Sequence, residues 1–241
     1  MDEHEELSRF LAVVGPSGSG KSSLVKAGLI PALVDGRLPN SEKWFAIEML
    51  PGTHPLDELE VALVKIAANQ AGNLNEQLRR DARGLIRVAD IILPDDDSKL
   101  VLVIDQFEEV FTLLEDEDAR QHFLDLLYVA ASDDRSRVCI IMTLRADYYD
   151  RPLQYPKFGE MLRARMETIL PLSTKDLERA IVGPAERVKV TFEEGLVAQI
   201  VGEMTYQAAA LPLLQYALTE LFERHEGRIL THQAYHPSSN S

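Results

Sequence analysis

Nine consecutive residues near the N-terminus have the types and the spacing that phosphate chemistry requires. The first eight match the pattern GxxxxGK[ST]; an apolar run over 10–14 precedes them, and a helix-like segment over 22–32 begins at the last residue of the pattern. The nine residues are Gly15, Pro16, Ser17, Gly18, Ser19, Gly20, Lys21, Ser22 and Ser23. The glycines let the backbone curl so that several N–H groups point inward, and the following helix N-terminus adds to this anion site. We therefore predict a phosphate-binding loop, and an ordinary Gly/Ser turn is the alternative.

Three side chains would hold a nucleotide and its metal. Lys21 is expected to reach the β- and γ-phosphates, and the Ser22 hydroxyl to ligate Mg²⁺. Asp105 ends an apolar strand predicted over 99–105, where P-loop NTPases usually carry their Mg²⁺-side carboxylate. The sequence thus predicts ATP or ADP with Mg²⁺ as cofactors, and a plain strand-end turn is the alternative for Asp105. We expect this carboxylate to lie near the loop, on a strand that neighbours the first one.

Further catalytic candidates follow two of the strands. Glu108 or Glu109 could hold and polarise the attacking water, with Glu108 slightly favoured, although an acidic first helical turn is nearly as good an explanation. Arg145 follows the strand predicted over 137–144, so its guanidinium could stabilise the γ-phosphate. A surface pair with Asp147 or Asp150 is the alternative. Arg163 and Arg165 could act as arginine fingers in a neighbouring subunit, but only their placement supports this, and exposed helix charges are the plainer explanation.

The elements that position these residues alternate between strands and helices. Strands are predicted over 10–14, 43–49, 99–105, 137–144 and 165–170, and helices over 57–68, 73–93 and 118–131. This alternation indicates an α/β fold with a doubly wound, five-stranded parallel sheet. After residue 171 only helices are predicted, over 174–182, 193–204 and 211–224. We therefore expect a nucleotide-binding domain over 1–172, a small all-helical domain over 173–235, and a disordered or truncated tail over 236–241.

The composition narrows the class of protein. The formal net charge is −14 over 241 residues, which argues against broad nucleic-acid binding because phosphates require clustered Lys and Arg. No apolar run reaches the ~20 residues of a membrane span, and the acidic N-terminus is unlike a signal peptide. The single Cys139 is expected to lie in a buried strand, and the lone His54 and His122 predict no zinc site. These features favour a cytoplasmic protein.

Four segments resemble the "novel STAND" signal-transduction ATPases of bacteria, which are P-loop NTPases of the AAA-like (ASCE) group. The segments read FLAVVGPSGSGKSSLVKAGLIPAL, LVLVIDQFEEVF, IIMTLRADYYD and LPLLQYALTELFER. The resemblance extends from about residue 9 to 235 and implies that Lys21 and Ser22 bind phosphate and metal. It also implies that Asp105 is the Walker B acid, that Arg145 senses phosphate, and that Pro212 belongs to a helical lid that approaches the nucleotide.

The same resemblance implies a nucleotide-gated switch. ADP would hold a closed monomer, and ATP would permit a homo-oligomer that signals through sensor or effector domains such as WD repeats. Family members usually carry an upstream segment that helps to hold adenine, whereas only nine residues precede the first strand here, so we expect a truncated core. The alternatives are a small-molecule kinase, a DNA-associated ATPase of the origin-recognition sort, and a scaffold that binds without catalysis.

Overall fold

The computed structural model describes residues 9–67, 73–94, 96–205, 207, 210–225 and 227–236. The chain divides into two units. The first contains the described parts of Met1–Gly15 and Lys21–Ile169, and the second contains Pro16–Gly20 and the described parts of Leu170–Ser241. None of the helices in these described ranges combines the length and the apolarity needed to cross a membrane.

A parallel sheet forms the centre of the first unit. Its five strands are β1 (Phe10–Gly15), β2 (Phe45–Met49), β3 (Leu100–Ile104), β4 (Val138–Arg145) and β5 (Met166–Thr168). Every residue of β3 is buried, as expected for a parallel strand covered on both faces. Along β1, Phe10, Ala12 and Val14 join one hydrophobic cluster while Val13 joins another. The sheet is therefore packed on both sides, and the predicted α/β fold with five parallel strands is confirmed.

The order of the strands differs from one expectation. Across the described sheet the order is β2-β3-β4-β1-β5, so β4 lies between β1 and β3. The expectation that Asp105 follows a strand adjacent to the first was therefore wrong. Consecutive strands neighbour one another in only roughly two-thirds of cases, and hydrophobic patterning along the chain does not encode the order.

Helices flank the sheet. In the first unit they are α1 (Lys21–Ser23), a π-helix (Leu24–Leu29), α2 (Ile30–Val34), α3 (Pro55–Val64), α4 (Leu74–Arg80), α5 (Gly84–Ile92), α6 (Glu109–Thr112), α7 (Glu117–Ser132) and α8 (Pro156–Ala164), with 3₁₀ turns at Ser41–Lys43, Ala146–Tyr148 and Pro152–Gln154. Asp116 caps α7 by accepting the Ala119 N–H at 3.0 Å. Phe123, Leu126, Leu127 and Ala130 of this helix are buried.

The helix predicted over 73–93 is interrupted. It forms α4 and α5, and Gly84 is the first residue of α5. A Cβ atom at Gly84 would lie 2.4 Å from the Gln77 carbonyl oxygen and 2.8 Å from the Leu78 Cα. Gly84 is thus required by the close approach of α5 to the backbone of α4.

The second unit is mainly helical. Its helices are α9 (Thr174–Arg187), α10 (Leu196–Met204), α11 (Ala210–Glu223) and α12 (His232–Tyr235). Ser173 caps α9 by accepting the Asp176 N–H at 3.3 Å. The expected purely helical region also contains a short parallel pair, β6 (Thr191–Phe192) with β7 (Ile229–Leu230). Except for His236, the predicted tail over 236–241 lies outside the described residues.

Candidate functional site

The carboxylate of Asp105 is the centre of a polar cluster at the carboxyl ends of the strands. Ser22 Oγ and Thr143 Oγ1 each donate a hydrogen bond to its Oδ1 at 2.6 Å. Lys26 Nζ lies 3.0 Å from its Oδ2. Asp105 is only 4% exposed, and this burial raises the pKa of its carboxyl group. The donated hydrogen bonds and the Lys26 charge outweigh the burial, so the pKa lies below its usual value.

The loop between β1 and α1 has a tightly curled backbone. Gly18 and Gly20 have φ angles of 69° and 87°, which side chains with a Cβ rarely adopt. The Ser19 N–H donates to the Pro16 carbonyl at 3.3 Å, and Ser19 Oγ is buried with no hydrogen-bond partner among the described residues. An unsatisfied buried hydroxyl is costly, so a polar ligand at this loop would suit it.

Lys21 begins the helix directly after this loop. It is 8% exposed, and its Nζ donates to the Gly15 carbonyl at 3.0 Å. Burial lowers the pKa of its ammonium group, the charge of Glu108 opposes that shift, and Arg145 adds to it. An ammonium, a hydroxyl and a carboxylate therefore lie close together at Lys21, Ser22 and Asp105. Hydroxyl and carboxylate oxygens are ligands that Mg²⁺ prefers, and an ammonium suits phosphate.

The two glutamates after β3 point to different places. Glu108 is buried, and its Oε2 accepts the backbone N–H of Arg145 at 3.2 Å. Its charge also acts on Lys21. Glu109 Oε2 instead accepts the Gly52 N–H at 2.9 Å, in the loop that follows β2. Of the two acids, only Glu108 is thus directed toward Arg145 at the end of β4 and Lys21 at the start of α1.

Arg145 is the last residue of β4, and its backbone pairs in register with Gly15. Its guanidinium makes two hydrogen bonds to the Asp147 carboxylate, at 3.1 and 2.6 Å. It also lies over the Tyr148 ring, 5.3 Å from the centroid. The surface pair with Asp147, which was the alternative for this residue, is therefore present. A phosphate that bound Arg145 would have to displace or share that carboxylate.

Sequence reasoning missed three residues around Asp105. They are Thr143, Lys26 and Gln106, whose N–H donates to Thr143 Oγ1 at 3.0 Å. A threonine inside an otherwise apolar strand was an available signal for Thr143. Lys26 follows Ser22 by four residues, so both share one face of a helical segment, and this spacing could have indicated its role.

Pro212 was predicted from the lid resemblance alone. It lies exposed in the first turn of α11. Within the second unit, a pocket of about 340 Å³ is lined by loop residues Pro16–Ser19 and by apolar side chains that include Leu177, Met204 and Leu211. Pro212 is not among the lining residues, although its neighbour Leu211 is.

The remaining histidine, cysteine and arginine residues singled out in the sequence lie outside the cluster around Asp105. His122 Nε2 contacts the Leu78 carbonyl at 2.9 Å, and His54 Nδ1 contacts Thr53 Oγ1. No group of three His, Cys, Asp or Glu side chains in the described ranges is arranged to hold a metal ion. Cys139 is half-buried in β4, where burial raises the pKa of its thiol. Arg163 is exposed near the end of α8, and the carbonyl of Arg165 accepts the Ala12 N–H.

Comparison with known families identifies the class of protein. The family described as Novel STAND NTPase 1 matches residues 1–239, which is nearly the whole chain. The chain therefore belongs to the novel STAND NTPase family, and the resemblance of its motifs is confirmed. No curated protein matched the sequence.

Solved structures share the fold at low sequence identity. A structure of Drosophila ORC bound to DNA has a TM-score of 0.60 at 17% identity, covering 99% of this chain and 57% of that one. Aeropyrum pernix ORC2 has TM-scores of 0.64 in its ADP form and 0.61 in its ADPNP-ADP complexes, at 14% identity over 90% of this chain. The chain spans only 56–57% of the length of these proteins. At such identity the likeness shows a shared fold and nothing more specific.

Proposed function

We propose that this NTPase binds ATP and ADP together with Mg²⁺ and acts as a slowly hydrolysing molecular switch. The observation that carries the proposal is the 2.6 Å hydrogen bond between Ser22 Oγ and Asp105 Oδ1. It joins the end of the phosphate loop to the acid after β3, two groups that are 83 residues apart. Such a pair of oxygen ligands suits the Mg²⁺ ion that accompanies a nucleoside triphosphate.

The roles of the side chains follow from their places. Lys21 and the backbone N–H groups of the loop bind the phosphates. Ser22 and Asp105 would hold Mg²⁺, which would neutralise part of the charge of the phosphates. Glu108 accepts a proton from the attacking water and orients it, because it is the acid directed toward Lys21 and β4. Arg145 stabilises the γ-phosphate after exchanging its bonds to Asp147.

Nucleotide binding by Lys21→Ala tests the first part of this proposal. We expect ADP affinity to fall by at least about tenfold, since a buried charged donor is removed. Lys175→Ala is the matched control, because Lys175 is exposed on α9 and distant in sequence from the loop. Fluorescence titration with a labelled ADP would measure both. Equal affinity in wild type and Lys21→Ala would contradict the proposal.

Substitutions at Glu108 and Glu109 test ATP hydrolysis separately from nucleotide binding. Glu108→Gln is expected to slow ATP hydrolysis by about a hundredfold while ADP affinity is retained, since the side chain keeps its shape but loses its basicity. Glu109→Gln should leave the rate close to that of wild type, because Glu109 is bonded to the Gly52 N–H. Single-turnover phosphate release measures both. If both variants hydrolyse ATP at the wild-type rate, the protein is instead a binding scaffold.

Coupling to assembly is the finer part of the proposal. Membership of the novel STAND family supports a homo-oligomer in the ATP state and signalling through sensor or effector domains. Light scattering of the protein with ADP, and with a non-hydrolysable ATP analogue, tests this. A mass that grows only with the analogue supports the switch, and an identical mass in both nucleotides contradicts it.

A DNA-associated ATPase is the second candidate, because one structure with the same fold is of ORC bound to DNA. The formal net charge of −14 weighs against it, since DNA binding releases counterions through clustered basic side chains. Binding to a labelled duplex at several salt concentrations decides between the two. Affinity that falls steeply with salt would favour this candidate.

A further inference from the structure

Lys26 lies between two carboxylates at one edge of the sheet. Its Nζ is 3.0 Å from Asp105 Oδ2 and 3.3 Å from Glu48 Oε2. Glu48 belongs to the end of β2 and Asp105 directly follows β3, and these neighbouring strands are parallel. The carboxyl ends of parallel strands meet at the same edge, so one ammonium reaches both acids.

The helical segment after the phosphate loop places Lys26 there. Lys26 lies in the π-helix Leu24–Leu29, where the Ile30 N–H bonds to the Val25 carbonyl five residues back. π-Helical turns frequently occur at functional sites. Ser22 and Lys26 are four residues apart, and each takes one oxygen of Asp105: Ser22 takes Oδ1 and Lys26 takes Oδ2. One helical segment thus supplies partners to both oxygens of this carboxylate.

These contacts set up a competition between cations. A divalent ion held by Ser22 and Asp105 shares this carboxylate with the Lys26 ammonium, and two cations at one carboxylate repel each other. The three side chains Lys26, Asp105 and Glu48 carry one positive and two negative charges. If the ammonium shifts fully to Glu48 and a metal ion takes Asp105, each carboxylate has its own cation.

We propose that Lys26 competes with Mg²⁺ for Asp105, and that Glu48 receives the Lys26 ammonium when the metal binds. This inference rests on the proposed function, because the metal is the one that accompanies the nucleotide. Lys26 is then a positioning residue, which acts on the metal through Asp105. It sets the Mg²⁺ concentration at which a nucleotide is held tightly.

The first test measures how ADP affinity depends on free Mg²⁺. In Lys26→Met we expect the half-effective Mg²⁺ concentration to fall about fivefold, as removal of one partly exposed ion pair would give. Lys65→Met is the control, since Lys65 is exposed at the end of α3. Lys26→Gln is the second variant should Lys26→Met fold poorly.

Glu48→Gln changes the same quantity in the opposite direction. Without its second carboxylate, Lys26 is held more firmly on Asp105, so more Mg²⁺ is needed. If Glu48 acts through Lys26, this effect disappears in the Lys26→Met/Glu48→Gln double variant. A Glu48→Gln effect that persists in full in the double variant would show that Glu48 attracts the metal by itself, and would overturn the assigned role of Glu48.

Thermal unfolding supplies a second readout, because the ion pair can be compared with and without Mg²⁺. Without Mg²⁺, Lys26→Met should melt below wild type, since Asp105 loses a partner. With saturating Mg²⁺ and ADP the deficit should shrink, because Lys26 no longer holds Asp105 and its remaining pair with the partly exposed Glu48 contributes little. A persistent deficit with an unchanged Mg²⁺ requirement means a purely structural ion pair and overturns the inference alone. A wild type that does not bind ADP overturns the proposed function as well.

Discussion

The acidic side chains at the ends of strands β3 and β4 differ in burial. Asp105 after β3 is buried and is bonded to Ser22, Thr143 and Lys26. The pair of Arg145 and Asp147 at the end of β4 is exposed, with side chains 38% and 55% accessible. Buried groups lose their partners at high cost, whereas exposed pairs exchange them with little change in free energy. Asp105 at the β3 end is therefore costly to leave without partners, whereas the pair at the β4 end can be broken at little cost in stability.

Asp105→Ala should have the largest effect on stability. It leaves the hydroxyl groups of Ser22 and Thr143 without their acceptor and removes one of the two carboxylates that Lys26 contacts, so we expect the free energy of unfolding to fall by about 3 kcal/mol. Urea denaturation monitored by circular dichroism measures this. A loss below about 1 kcal/mol would mean that Asp105 contributes no more to stability than an exposed ion pair such as that of Arg145 and Asp147.

The pH dependence of stability tests whether the ionised carboxylate of Asp105 stabilises the fold. The pKa of Asp105 is lowered in the folded protein, so its contribution is present above the pKa of the unfolded chain, near 3.9. That contribution is lost as the pH falls through the lower pKa of the folded protein. We expect the difference in unfolding free energy between wild type and Asp105→Asn to be constant from pH 7 to about 5 and to narrow below about 4. A constant difference down to pH 3 would contradict this expectation.

Thr143→Val should have an intermediate effect. The substitution keeps the shape of the side chain but removes a donor to Asp105 and an acceptor for the Gln106 N–H. We expect a loss of about 1.5 kcal/mol in urea denaturation. Thr168→Val in β5 is the control, because Thr168 is exposed. Equal losses at both positions would show that Thr143 contributes nothing through Asp105.

Arg145→Met should have the smallest effect on stability. The pair with Asp147 is exposed, so the unfolding free energy should change by less than about 1 kcal/mol. ATP hydrolysis should nevertheless fall, because the proposed function assigns Arg145 to the γ-phosphate. Stability and phosphate release measured on the same preparation separate the two. A large loss of stability would show that the exposed pair of Arg145 and Asp147 stabilises the fold as strongly as the buried Asp105.

Much of the fold was predictable because its signals are local. The apolar run of β3 and the Asp116 cap of α7 each depend on neighbours in sequence. Gly84 shows where local reasoning stops, since its lack of a Cβ matters only when α5 approaches the backbone of α4. The choice between Glu108 and Glu109 also depended on distant backbone, at Arg145 and Gly52.

The sequence by itself determined the phosphate-loop motif, the acid after β3 and the alternation of strands and helices, because spacing, glycine content and hydrophobic periodicity are properties of short segments. Only the tertiary structure decided that β4 lies between β1 and β3, and that Thr143 and Lys26 bind Asp105. These contacts join residues 38 and 79 positions apart. Their geometry follows from how the whole sheet packs, which no short stretch of sequence encodes.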